Sequence, residues 1–127
     1  TDQDTLFAYT NHAYFNLNES DSILDHTLMI PTDHYALLDE TCLTKPEFQA
    51  VENTAFDFRQ AKKIGRDINL DEIQLTYGKG YDHHFPIPNE GLRTMAILSD
   101  GTLELEMASD YPGFHLYTAN WLNGASW

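Results

Sequence analysis

Along most of the chain, apolar residues gather in short runs separated by Asn, Asp, Gly and Pro, which is the pattern of strands joined by turns. The clearest run lies in 93–108, where Leu103, Leu105 and Met107 alternate with Thr102, Glu104 and Glu106. Alternation of period two puts the apolar set on one face and the polar, acidic set on the other. Asp100 and Gly101 ahead of it suit the positive φ values of a tight two-residue hairpin turn, with Met95 to Leu98 in the partner strand. Further strands are predicted at 5–10, 26–30, 73–77, 83–87 and 114–118. One short helix is predicted over 59–64, ended by Gly65. The stretch 32–53 has no sustained periodicity and reads as a long loop or a ribbon with irregular edges. Many short strands with little helix predict an all-β fold, an antiparallel β-sandwich or barrel, in one domain over 1–127.

Composition narrows the class. With 127 residues, 42% of them hydrophobic and 13% aromatic, the chain can bury a core, which disordered chains cannot. Seven Lys and Arg against twenty Asp and Glu give a net charge of −13, a field that repels phosphate backbones and anionic lipid. The expectation is therefore no nucleic acid and no membrane among the partners. A single cysteine, Cys42, cannot form an intrachain disulfide; it reads as a free structural thiol and fits a reducing compartment. No apolar run approaches the roughly 20 residues of a membrane span, and the acidic start is unlike a secretory signal, so a cytoplasmic location is expected. The chain begins without Met and turns apolar within a few residues, which suggests sequence upstream.

Three segments mix aromatic rings with polar groups able to bond hydroxyls: TNHAYFNL (10–17), GYDHHF (80–85) and PGFHLYT (112–118). Sugars present CH faces and hydroxyl edges, so a carbohydrate site needs rings to stack on and carboxylate, amide or imidazole groups to fix orientation. His12 reads either as a histidine bonded to a nearby carbonyl or as a proton donor, for which an ordinary pKa near 6.5 is suited. Asp82 reads as a solvated turn carboxylate or as an acceptor for sugar hydroxyls. On a strand, Asp82 and His84 share a face and His83 takes the other; two same-face groups fall short of a zinc site, so no metal is expected. Tyr9, Tyr14, Phe15, Tyr81, Phe85 and Trp121 fit core or stacking roles, and Asp57 and Arg59 in FDFR (56–59) suit an ion pair on one strand face. Neither a glycine-rich phosphate loop nor a serine elbow is present.

Taken together, these segments resemble the middle of an aldose 1-epimerase, or galactose mutarotase. TNHAYFNL resembles the family's TNHxYFNL, GYDHHF its GYDHxF, and YTANWL (117–122) its YTxNFL, in the same order and with FDFR between them. The resemblance extends over nearly the whole chain and implies a large antiparallel sandwich that interconverts the anomers of free aldoses such as galactose and glucose, without organic cofactor or metal. It implies that His12 is the catalytic acid, and that His12, Tyr14, Asp82 and His115 bind a monosaccharide. His115 stands where many relatives have glutamine, and Ala13 where serine is common. The family's catalytic base is a glutamate downstream of YTxNFL, and its sugar-binding arginine and second histidine lie upstream; no residue here matches them. The chain thus resembles less than half of a mutarotase, a central part without its flanks. It is expected to be inactive alone, and to associate unless the remainder of the same sandwich covers it. The alternatives are a sugar-binding relative without turnover, or a sandwich piece that keeps the motifs as scaffold.

Overall fold

A computed structural model describes residues 2–6, 9–88 and 90–122. Among these residues eight strands are formed: β1 (Thr27–Met29), β2 (His34–Leu38), β3 (Thr44–Ala50), β4 (Lys62–Lys63), β5 (Asp82–Pro86), β6 (Arg93–Ser99), β7 (Glu104–Ser109) and β8 (Gly113–Tyr117). A 3₁₀ turn (Ile64–Arg66) and one helix, α1 (Ile73–Gly78), complete the described elements. All strand pairings are antiparallel, in a four-stranded sheet of order β4-β1-β6-β7 and two ribbons, β2-β3 and β5-β8. This is the antiparallel all-β fold expected from the alternation. None of the described helices is long and apolar enough to cross a membrane.

The core is aromatic. Tyr35 of β2 stacks on Phe56 with ring centroids 4.1 Å apart, Phe56 meets Tyr81 edge-on at 5.4 Å, and Phe58 meets Tyr81 at 5.1 Å. Leu28, Ile30, Phe85, Met95 and Leu75 close around them, so β1, β2, β5, β6 and α1 share one interior. Lys62 is also buried: its ammonium donates to the Ala55 carbonyl and to Asp67, both at 2.7 Å, and lies 4.4 Å from the Phe58 ring centroid. A buried cation paired and bonded in this way avoids most of the desolvation cost of an isolated charge.

Several local expectations are corrected. Residues 73–77 are helix α1, although Ile73, Leu75 and Tyr77 alternate like a strand. Leu75 enters the core while Ile73 stays exposed, and buried Gln74 accepts from Leu38 N–H at 2.7 Å and donates to the Leu38 carbonyl at 3.2 Å. That two-way bond to β2 fits a helical turn, and Lys79 in the left-handed region closes it. The helix expected at 59–64 is absent: Lys62–Lys63 pair with β1 and a 3₁₀ turn follows. Gly65 lies inside that turn, where a Cβ would come within 2.9 Å of the Leu24 carbonyl oxygen. No strand forms among the described residues of 5–10; Phe7 and Ala8 lie outside them. Asp57 and Arg59 do pair, through Arg59 Nε and Nη2 at 2.9 and 2.8 Å, with Asp33 at 2.9 Å on the same guanidinium, but on a bend instead of a strand.

The 93–108 hairpin is formed by β6 and β7, yet its turn is wider than two residues. Ser99 pairs with Glu104, leaving a loop of 100–103 in which Gly101 alone has positive φ (92°) and Asp100 Oδ1 accepts from Thr102 and Leu103 N–H. Asp100 keeps negative φ because its side chain supplies this turn hydrogen bonding directly. The stretch 32–53 takes the ribbon form: β2 and β3 pair with a bulge between Ala36 and Leu38. The strands expected at 26–30, 83–87 and 114–118 correspond to β1, β5 and β8.

Candidate sugar-binding site

The β5-β8 ribbon builds the site's floor. Asp82 pairs with Tyr117, His83 with Leu116 and His84 with His115. Directly opposed residues share a face and neighbours alternate, so Asp82, His84, His115 and Tyr117 lie on one side and His83, Phe85, Phe114 and Leu116 on the other. The second set packs into the core. The apolar alternation thereby fixes the polar set facing outward.

Asp82 is the hub. Its Oδ1 lies 2.6 Å from His115 Nε2, and its Oδ2 accepts from the Trp121 indole Nε1–H at 3.2 Å and from the Cys42 thiol at 3.6 Å. Asp82 N–H donates to His83 Nδ1 at 3.1 Å, which leaves the proton of a neutral His83 on Nε2. His83 is fully buried, and burial pushes its pKa down to about 4, against the raising effect of Asp82 and with a small further lowering from His115. Burial likewise lowers His84, reinforced by His115. Gly113 admits the His84 ring: a Cβ there would meet its imidazole at 2.7 Å. Burial raises the Cys42 thiol, and the negative charge of Asp82 raises it further, the opposite of an activated cysteine.

The second wall comes from 10–17, which forms no strand and is held at a few points. Asn11 Oδ1 accepts from Ala13 N–H at 2.9 Å, Leu17 N–H donates to the buried His26 Nε2 at 3.0 Å, and the Tyr111 hydroxyl donates to the Tyr9 carbonyl at 2.9 Å. So held, His12 lies 5.4 Å from the Tyr14 ring, and Tyr14 lies edge-on to Tyr117 at 6.1 Å. His12, Tyr14, Asp82, His115, Tyr117 and Trp121 together line one open cleft of about 240 Å³. This lies just below the roughly 300–1,000 Å³ of sites for drug-sized ligands and suits a small polar one.

All four residues singled out in the sequence, His12, Tyr14, Asp82 and His115, thus meet in one cleft. The sequence pointed to Tyr117 only as part of the PGFHLYT segment and to Trp121 only as a core or stacking ring, without naming either as a sugar contact, although both stand in the YTANWL segment. It also placed Cys42 apart, and only the turn joining β2 to β3 brings it to Asp82. A second hollow of about 300 Å³, lined by Asn53, Thr54, Asp57, Gln60, Ala61, Lys62, Arg66 and Asp67, has no aromatic ring; Lys62 and Arg66 pair with Asp67, and Asp57 pairs with Arg59 outside the lining. Among the described residues, no three of His, Cys, Asp and Glu converge as metal ligands.

A family model described as aldose 1-epimerase matches residues 1–127. The chain belongs to the aldose 1-epimerase family. It is 35% identical to an aldose 1-epimerase of Haemophilus influenzae, over 97% of this chain and 37% of that protein. To a human galactose mutarotase it is 34% identical, over 96% of this chain and 36% of the relative. A galactose 1-epimerase structure from Lactobacillus acidophilus superimposes with a TM-score of 0.81 at 34% identity, covering 91% of this chain and 34% of that one. The fold is therefore that of a part of the family's β-sandwich, and the chain spans little more than a third of the length of these aldose 1-epimerase relatives.

Proposed function

We propose that the protein carrying this chain interconverts the α and β anomers of free aldoses, and that this cleft supplies its acid and much of its sugar contact. The observation behind the reading is the convergence of His12 and Tyr14, from near the start of the chain, with Asp82 and His115. The chemistry needs two proton-transfer groups on opposite sides of one sugar. A base takes the proton from the anomeric hydroxyl, O1 becomes the aldehyde oxygen as the C1–O5 bond breaks, and an acid protonates O5. C1 rotates, and closure returns both protons with the other face presented. In this reading His12 is the acid at the ring oxygen, Asp82 and His115 hold hydroxyls, and the rings of Tyr14, Tyr117 and Trp121 meet CH faces. Resemblance assigns the base to a glutamate following the YTxNFL segment. Among the described residues no glutamate lines the cleft, and in this reading the base is contributed by another part of the sandwich. The substrate class is a free monosaccharide and the compartment the cytoplasm.

Polarimetry of freshly dissolved α-galactose tests this. The complete gene product is expected to relax the rotation faster than buffer. Saturable sugar binding with relaxation at the buffer rate would favour a sugar-binding relative without turnover, a reading suggested by a cleft that, among the described residues, no glutamate lines. Neither binding nor acceleration would reject both.

A further inference from the structure

The YTANWL segment carries Trp121 where the motif it resembles has phenylalanine, a side chain that has no hydrogen to donate. Here the indole Nε1–H donates to Asp82 Oδ2 at 3.2 Å while His115 Nε2 lies 2.6 Å from Oδ1. Each carboxylate oxygen thus has its own partner, and the plane of the carboxylate is fixed. The indole is held in turn. Its ring lies under the Lys79 ammonium, 3.8 Å from the centroid, and its backbone N–H donates to the Tyr117 hydroxyl at 2.9 Å. The preceding residue, Asn120, donates to the Gly78 and Tyr81 carbonyls at 3.1 and 2.8 Å and accepts from Thr118 Oγ1 at 2.7 Å. Gly80 makes room for this latch, since a Cβ there would fall 2.6 Å from the Asn120 amide oxygen. The backbone before Asp82 is therefore tied to the backbone before Trp121, which sets the separation of carboxylate and indole.

We propose that Trp121 is a positioning residue for the sugar cleft, holding the Asp82 carboxylate in the orientation in which it accepts from one particular sugar hydroxyl. The inference rests on the sugar reading given above and extends it to the groups that set selectivity among sugars. An oriented carboxylate has fewer alternatives to reorganise among on binding, and that advantage exists only for ligands that present a hydroxyl to it. Cys42, at 3.6 Å from the same oxygen, is the weaker second donor.

The test is Trp121→Phe in the complete gene product, which keeps a ring beside Lys79 and removes the donor. Loss of one such hydrogen bond is expected to raise KM for galactose by roughly three- to tenfold with kcat changed less than about twofold. Across a series of monodeoxygalactoses, the rise should vanish for one analogue, the one lacking the hydroxyl that Asp82 holds. A general loosening of the fold would weaken all the sugars alike, and that outcome, or an unchanged KM, overturns the proposal. A readout independent of turnover is the indole N–H resonance of Trp121, assigned by its disappearance in Trp121→Phe. It is expected to move upfield in Asp82→Ala, and an unmoved resonance overturns the proposal even if the protein is fully active. Failure of the sugar reading appears separately, as a wild-type protein without binding or turnover.

Discussion

Acidification from pH 6.5 toward 4 should cost this fold roughly 3 kcal/mol through one side chain, His83. The ring lies in the aromatic core, 4.4 Å from Phe56 and 5.7 Å from Tyr35 between centroids, and is fully buried. Burial outweighs the attraction of Asp82 and sets its pKa at about 4 in the folded protein against 6.5 in the unfolded chain. Between those values the unfolded chain binds a proton that the folded protein refuses. Stability therefore rises with pH through the window and is lost as pH falls, the whole effect being present below about 4. The site is affected too, because a protonated Nδ1 can no longer accept from Asp82 N–H. The assay is urea denaturation at several pH values from 4 to 7, comparing wild type with His83→Gln. The variant carries a constant packing penalty, but its stability should fall less steeply on acidification, with the difference reaching the above magnitude. An NMR titration of the ring should show it neutral through pH 5. Equal slopes for the two proteins, or a ring titrating near 6.5, would show that His83 does not carry this acid sensitivity.

Gly80→Ala forces a Cβ onto the Asn120 amide at a residue with φ of +133°, so about 1–3 kcal/mol should be lost, read as a fall in Tm, and an unchanged Tm would contradict the latch. Gln74→Ala leaves the buried N–H and carbonyl of Leu38 without partners and should cost roughly 2–4 kcal/mol in chemical denaturation. A loss below about 1 kcal/mol would mean that water or neighbouring backbone takes over both bonds.

What could be read from the sequence was whatever depends on period or on motif. The alternation at 103–107 predicted β7, and the motif segments predicted four cleft residues that the fold brings together. What could not be read depends on distant partners. Ile73, Leu75 and Tyr77 alternate as a strand would, and nothing local announces that Gln74 binds the backbone of Leu38, far away in sequence. Lys62 falls within the stretch read as a short helix, and nothing local announces that its ammonium lies between Ala55, Asp67 and the Phe58 ring. The Asp100-Gly101 pair does mark a turn, but its width was decided by the Asp100 side chain, which bonds two backbone N–H groups. Cys42 reaches Asp82 only because the β2-β3 ribbon folds over, with Cys42 itself at φ of 65°.

The proposed role of His12 as the proton donor of this cleft is open to direct measurement. The most direct test is the kcat and KM of His12→Asn in the complete gene product, followed by polarimetry on galactose beside wild type. With His12 as the acid, kcat is expected to fall by roughly 10²–10⁴-fold with KM changed only a few-fold, because general acid catalysis is removed while Asp82 and His115 still hold the sugar. A kcat that stays within about threefold of wild type would contradict it and move the acid to another residue.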